Sequence, residues 1–215
     1  ETMLFARTAF IDLLQNREYS LHDRLVNVLS ASAEIQYALD EEDTEEIKAI
    51  AQELSHPEII AERVESLKKA LPEKPLENTE NMLLYLEHLD FIGDILPQQI
   101  KDASRFVKKL SAPLKAQTSG EYEKLAVYFV YRYFLKTVRD FDLLSKIKAM
   151  IVFVFAAEVI NLSREQDAHA RFETVKELCK EIEYSDDNMD RIYDDSYLSD
   201  IFSDTSMLAL LEWTL

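Results

Sequence analysis

The sequence predicts an all-α fold, a multi-helix bundle of about 8–11 helices around aromatic-rich central helices. Three observations predict it. Apolar residues recur at helical spacing along most of the chain. Only two glycines, Gly93 and Gly120, occur in 215 residues, so the Asn-Gly and Asp-Gly turns that close short hairpins are missing. Prolines and capping residues punctuate the periodic segments at their ends.

The first helix covers roughly residues 2–16. "YSLHDRL" starts a second, with Ser20 as N-cap and Asp23 at N3, running to about Leu39. "DEEDTEE" (40–46) reads as a solvated turn followed by first-turn acids that suit the helix dipole. The third helix ends before "SHPE", where Ser55 and Pro57 separate it from a fourth. "LPEKPLEN" (71–78) carries two prolines and is the clearest linker. It separates an N-terminal helical subdomain, 1–71, from a C-terminal one, 77–215, the two reading as one continuous domain. Further helices are expected near 77–92, 97–112, 119–138, 141–162, 164–184, 186–194 and 197–213. Thr118 with Glu121, and Ser163 with Gln166, have the spacing of capping boxes.

Composition excludes several functions. The formal net charge is -17, a field that repels phosphate backbones, so nucleic acid is not an expected partner. The longest uncharged apolar run, "AMIVFVFAA" (149–157), is far shorter than the roughly 20 residues that span a bilayer, so no membrane segment is expected. Two glycines cannot build a P-loop, a G-x-G-x-x-G loop or the glycine-rich loop of a Rossmann-type methyltransferase. A single cysteine, Cys179, rules out an internal disulfide and a four-cysteine metal site, and suits a cytoplasmic location. Glu53-x-x-His56 matches half of a di-iron signature without a second copy, so no metal site is expected.

Residues 121–146, "EYEKLAVYFVYRYFLKTVRDFDLLSK", concentrate the aromatics. Val127, Val130, Phe134, Val138 and Phe141 form one helical stripe, widened by Leu125, Tyr128, Phe129, Tyr131 and Leu135. A helix that is apolar nearly all round is buried, so this is a central helix, packed beside "LLSKIKAMIVFVFAAEVINL". Arg132 and Lys136 sit one turn apart, placed to snorkel to the core's edge or pair with acids there. Buried tyrosine hydroxyls need partners and can line a polar pocket. In "KEIEYSDDNMDRI" (180–192), Ser185 is an N-cap, and Glu183 and Tyr184 close the preceding helix at a corner. The acidic neighbours of Cys179 raise a thiol's pKa, so a structural cysteine is expected.

Three segments, "ARTAFIDLLQNREYSLHDRL", "LAVYFVYRYFLKTVRDFDLLSKIK" and "CKEIEYSDDNMDRI", together resemble the C-terminal half of bacterial flagellin lysine-N-methylases. They occur in that family's order and cover most of the chain. The resemblance implies methyl transfer from S-adenosylmethionine to lysine ε-amines of flagellin or another lysine-bearing protein. The family's cysteine-rich CxxCxxCC region has no counterpart here, and Cys179 does not replace it. No catalytic or metal residue therefore carries over, and no cofactor is expected on this part alone. Its expected role is to complete the substrate cleft. The candidate substrate-binding residues are Tyr128, Arg132, Tyr133, Glu183 and Tyr184, with the carboxylate orienting an ammonium and the tyrosines packing its methylene stem. The alternative is an all-α ligand-binding or protein-interaction domain without catalysis. In that reading a terminal stripe of Leu198, Ile201, Phe202, Leu208 and Leu211 would serve homo-oligomer formation.

Overall fold

The computed structural model describes residues 1–115, 120–164 and 167–213. Eleven helices of eight residues or more, plus one four-residue helix, make up the described chain, and no strand occurs among the described residues. In order they are α1 (Thr2–Gln15), α2 (Leu21–Asp40), α3 (Thr44–Glu53), α4 (Pro57–Lys68), α5 (Pro75–Glu87) and α6 (Ile95–Val107). Then follow α7 (Gly120–Tyr133), α8 (Thr137–Asp140), α9 (Leu144–Arg164), α10 (Ala168–Leu178), α11 (Asp186–Leu198) and α12 (Asp204–Leu211). The all-α bundle is as predicted.

The centre is α9. Every residue from Ser145 to Asn161 is buried. Helices α2, α6, α7, α10, α11 and α12 all pack on it, as an all-round apolar helix requires. Phe129 of α7 meets Phe153 of α9 with ring centroids 4.6 Å apart. A single apolar cluster runs from Ala6 to Trp213. After the turn that follows α4, α5 packs on α6 and α12, and Trp213 Nε1 donates to Thr79 Oγ1 at 3.0 Å. Arg24 on α2, itself buried, donates to Glu123 on α7 at 2.8 Å. Among the described residues no helix is long and apolar enough to cross a membrane.

Helix starts follow their caps. The Ser20 and Ser185 hydroxyls accept from the amides of Asp23 (3.1 Å) and Asn188 (3.3 Å). Asp43 accepts from Glu45 and Glu46 within the acidic run. Ser163 lies inside α9, where its hydroxyl donates to Ile160 O, and Asp167 caps α10 instead. Thr118 and Gln166 lie outside the described residues.

Three expectations are corrected. The predicted stripe through Phe141 fails at its end. Phe134–Lys136 tighten into a 3-10 turn, and Phe141 adopts a left-handed conformation (φ 55°) that stops α8. The phase of the helix is lost there, so Val138 and Phe141 face solvent. The predicted helix 164–184 is α10 followed by a π-turn, Cys179–Glu183. The terminal stripe is not a free face. Phe202, Leu208 and Leu211 are buried in the core and only Leu198 is fully outside it, because α12 packs on α5, α9 and α2.

Candidate functional site

The aromatic run and the α10–α11 corner meet. Tyr128 and Arg132 lie at i, i+4 on α7 and share a face. Arg132 Nη1 donates to the Tyr128 hydroxyl at 3.0 Å. Tyr133 follows at the end of α7, with its ring 5.4 Å from Phe129. From the facing corner comes Glu183. One of its oxygens, Oε1, accepts from the Tyr128 hydroxyl at 2.6 Å and from the Tyr133 hydroxyl at 2.7 Å. Arg132 Nε lies 3.3 Å from the same oxygen, and the Glu183 side chain is fully buried.

Three rings surround the Arg132 guanidinium. Its central carbon lies 5.8 Å from the centre of the Tyr128 ring, 5.5 Å from Tyr133 and 5.4 Å from Tyr184. Lys136 Nζ sits 4.5 Å from the Tyr133 ring. This is an aromatic cage of the kind that holds organic cations, filled here by the chain's own arginine. Burial, reinforced by the bond to Glu183, raises the pKa of both Tyr128 and Tyr133 well above the usual phenol value. Both therefore remain hydrogen-bond donors across the physiological range.

The π-turn shapes this corner. The amide of Tyr184 donates to Cys179 O at 2.9 Å, five residues back. In an α-helix, residues five apart point about 140° away from each other. The wider turn makes them neighbours, and Cys179 and Tyr184 line the same wall. Burial, with Glu183 second, raises the Cys179 thiol pKa far above its ordinary value, so the thiol is inert.

The structure thus brings all five predicted residues together. Their arrangement differs from the expected one. Glu183 lies behind Arg132 and two tyrosines and does not face an incoming ammonium. Tyr184 is exposed and Tyr128 half-buried, and these two reach outward.

They reach into a groove of about 870 Å³ between α7 and α10. Leu125 and Tyr128 line one side, Phe172 and Val175 the other, with Cys179 and Tyr184 at one end. Arg171 clamps Glu121 at the opposite end through two contacts of 2.8 Å. Lys124, Lys176 and Lys180 stand at its edge. Sequence reasoning missed this groove. The available signal was Phe172, Val175 and Cys179 at i, i+3, i+7 on an otherwise polar helix.

A second buried carboxylate was also missed. Glu158, in the middle of α9, is completely buried, and neither of its oxygens has a hydrogen-bond partner among the described residues. Burial raises its pKa well above the usual value, against a small opposing effect of Lys115. One helical turn on, Asn161 donates to the Tyr122 hydroxyl at 3.0 Å. Burial pushes the Tyr122 pKa up to about 12. Elsewhere Glu53, the acid of the half di-iron signature, pairs with Arg63 at 2.6 Å.

Comparison with known proteins agrees with the resemblance seen in the sequence. No curated protein and no solved structure matches the chain. The model of the FliB lysine N-methylase C-terminal domain matches residues 7–210, which is nearly the whole of it. That span takes in the aromatic cage, both walls of the α7–α10 groove and the π-turn between them, and the chain belongs to the family of FliB lysine N-methylase C-terminal domains.

Proposed function

We propose that this domain is the substrate-holding part of a cytoplasmic, S-adenosylmethionine-dependent lysine N-methylase acting on flagellin or another lysine-bearing protein. The observation that carries this reading is the α7–α10 groove, open, largely apolar and walled at one end by tyrosines that the Glu183–Arg132 hub holds in place. Protein recognition needs such a feature, apolar area beside rigid aromatic anchors. Of the predicted residues, Tyr128 and Tyr184 contact substrate. Arg132, Tyr133 and Glu183 position them.

The groove does not fit S-adenosylmethionine. Its only described carboxylate, Glu121, is held by Arg171 and is not available to ribose hydroxyls. Lysines at the edge oppose a sulfonium and an α-ammonium. The reading therefore assigns this domain to the protein substrate, and no chemical step is assigned to its residues.

The test is lysine methylation by the full enzyme that carries this domain, followed by mass spectrometry. Tyr184→Ala removes an exposed ring and leaves the hub intact. It is expected to lower methylation at least about ten-fold through KM, with unchanged helical content. Methylation at the unmodified rate by Y184A and by Phe172→Asp would refute the reading.

A further inference from the structure

We propose that the α7–α10 groove takes an acidic, apolar segment of its protein partner, hydrophobic side chains filling the groove and carboxylates meeting the lysines at its edge. This rests on the substrate-holding reading and names the chemistry of what is held.

The argument begins with charge. The whole chain carries -17, yet the described residues lining the groove include Lys124, Arg171, Lys176 and Lys180 against one carboxylate, Glu121. Glu121 and Arg171 neutralise each other. Lys124 makes no ion pair among the described residues. Lys176 pairs with Glu173 at 2.7 Å, and Lys180 with Glu177 at 3.3 Å and Glu181 at 2.9 Å. The Lys176 and Lys180 side chains are each 55 % exposed, so these pairs are weak and cheap to exchange for a partner's carboxylate. A local excess of cations on an acidic protein steers an anionic segment to this face and a cationic one elsewhere.

The interior adds the second requirement. Leu125 is buried, Val175 half-buried, and the Phe172 ring 63 % exposed. A large ring left in water beside an apolar floor loses the burial it would gain under a partner's aliphatic side chains. The cage offers no competing site for a cation, because Arg132 fills it. It follows that the groove holds the sequence flanking a target lysine, while the ammonium itself lies outside it.

Fluorescence anisotropy on this chain tests the proposal. The probes are three labelled peptides of about twelve residues, roughly three helical turns. They share Leu and Phe positions and carry Glu, Gln or Lys at the flanks. The Glu peptide is expected to bind at least about ten-fold more tightly than the Lys peptide, with the gap narrowing as salt rises. The charge-reversed variant K124E/K176E should invert that order, and F172D, at an exposed position, should weaken all three. Equal affinity for the three peptides, or an order that K124E/K176E leaves unchanged, overturns the proposal. Failure of all three peptides to bind also overturns it, and leaves the substrate-holding reading to the methylation assay. Charge-ordered binding with unimpaired methylation by Y184A and F172D sustains the groove's preference and refutes the substrate-holding reading instead.

Discussion

Glu183 and Glu158 are both buried glutamates in one helical core, and the fold treats them in opposite ways. Glu183 is met by two tyrosine hydroxyls and a guanidinium. Glu158 is met by no hydrogen-bond donor among the described residues. Burying a carboxylate is costly unless it is paired or neutral. The π-turn corner uses pairing, and α9 uses neutrality. Pairing creates a rigid junction between α7 and the corner before α11. Neutrality places no demand on neighbours, so it is tolerated in the middle of the most apolar helix. Glu181, two residues before Glu183, extends the pairing pattern. It accepts from the amides of Ile92 (2.8 Å) and Gly93 (3.1 Å) and pairs with Lys180.

The comparison can be broken most severely at Glu183. Glu183→Ala leaves two tyrosine hydroxyls and part of a guanidinium without their acceptor, at about 1–3 kcal/mol for each unsatisfied buried group. We expect a loss of about 2 to 4 kcal/mol in urea unfolding, Arg132 being partly solvated and so less affected. A loss below about 0.5 kcal/mol would mean the hub is not what joins these elements.

The pH dependence of stability sharpens the contrast. Glu158 has a folded pKa raised above its unfolded value of 4.5, so the folded state keeps a proton that the unfolded state releases. Stability from this group is fully present below that unfolded value and is lost as pH rises above it, by up to about 1.4 kcal/mol per pH unit until the folded pKa is reached. Glu158→Gln keeps the size, cannot ionise, and should flatten the slope between pH 5 and pH 8. An unchanged slope would show that Glu158 is ionised in the fold. Glu181 works in the opposite sense. Lys180 first, then the Ile92 and Gly93 amides, outweigh burial and hold its pKa below the usual value. Its stabilisation is present above the unfolded pKa and fades as pH falls through the folded one.

The smallest effect belongs to Gly93. A Cβ there would lie 2.9 Å from the Glu181 carboxylate oxygen. Gly93→Ala should cost about 1 kcal/mol by pushing that carboxylate off the two amides. A neutral result would show that the side chain has room to withdraw.

The residues that pair were legible in the sequence, and the residues that line the groove were not. Tyr128 and Arg132 announce a shared face by their spacing, and Ser185 announces the corner by its cap. The order of the three resemblance segments agreed with the family. The π-turn has no such signature, because its extra residue changes neither propensity nor capping. A helix through residue 184 was therefore the natural reading, and Tyr184 could not be aimed. The 3-10 turn at Phe134–Lys136 hid the end of the aromatic stripe for the same reason. Glu158 looks in sequence like the start of a polar face. Only the ring of helices packed around α9 shows that no such face exists.

That extra residue has a genetic consequence. Removal of a single codon within 179–183 would restore the regular helical repeat, and the new helix would still reach the Ser185 cap. Everything after the deletion would turn by about 100° relative to what precedes it. Tyr184 would swing off the groove wall and Glu183 away from its tyrosines, with scarcely any loss of helix. A lineage could thus retire this surface by one in-frame deletion, and the length of the corner, more than the identity of any one side chain in it, marks a copy that still has the groove.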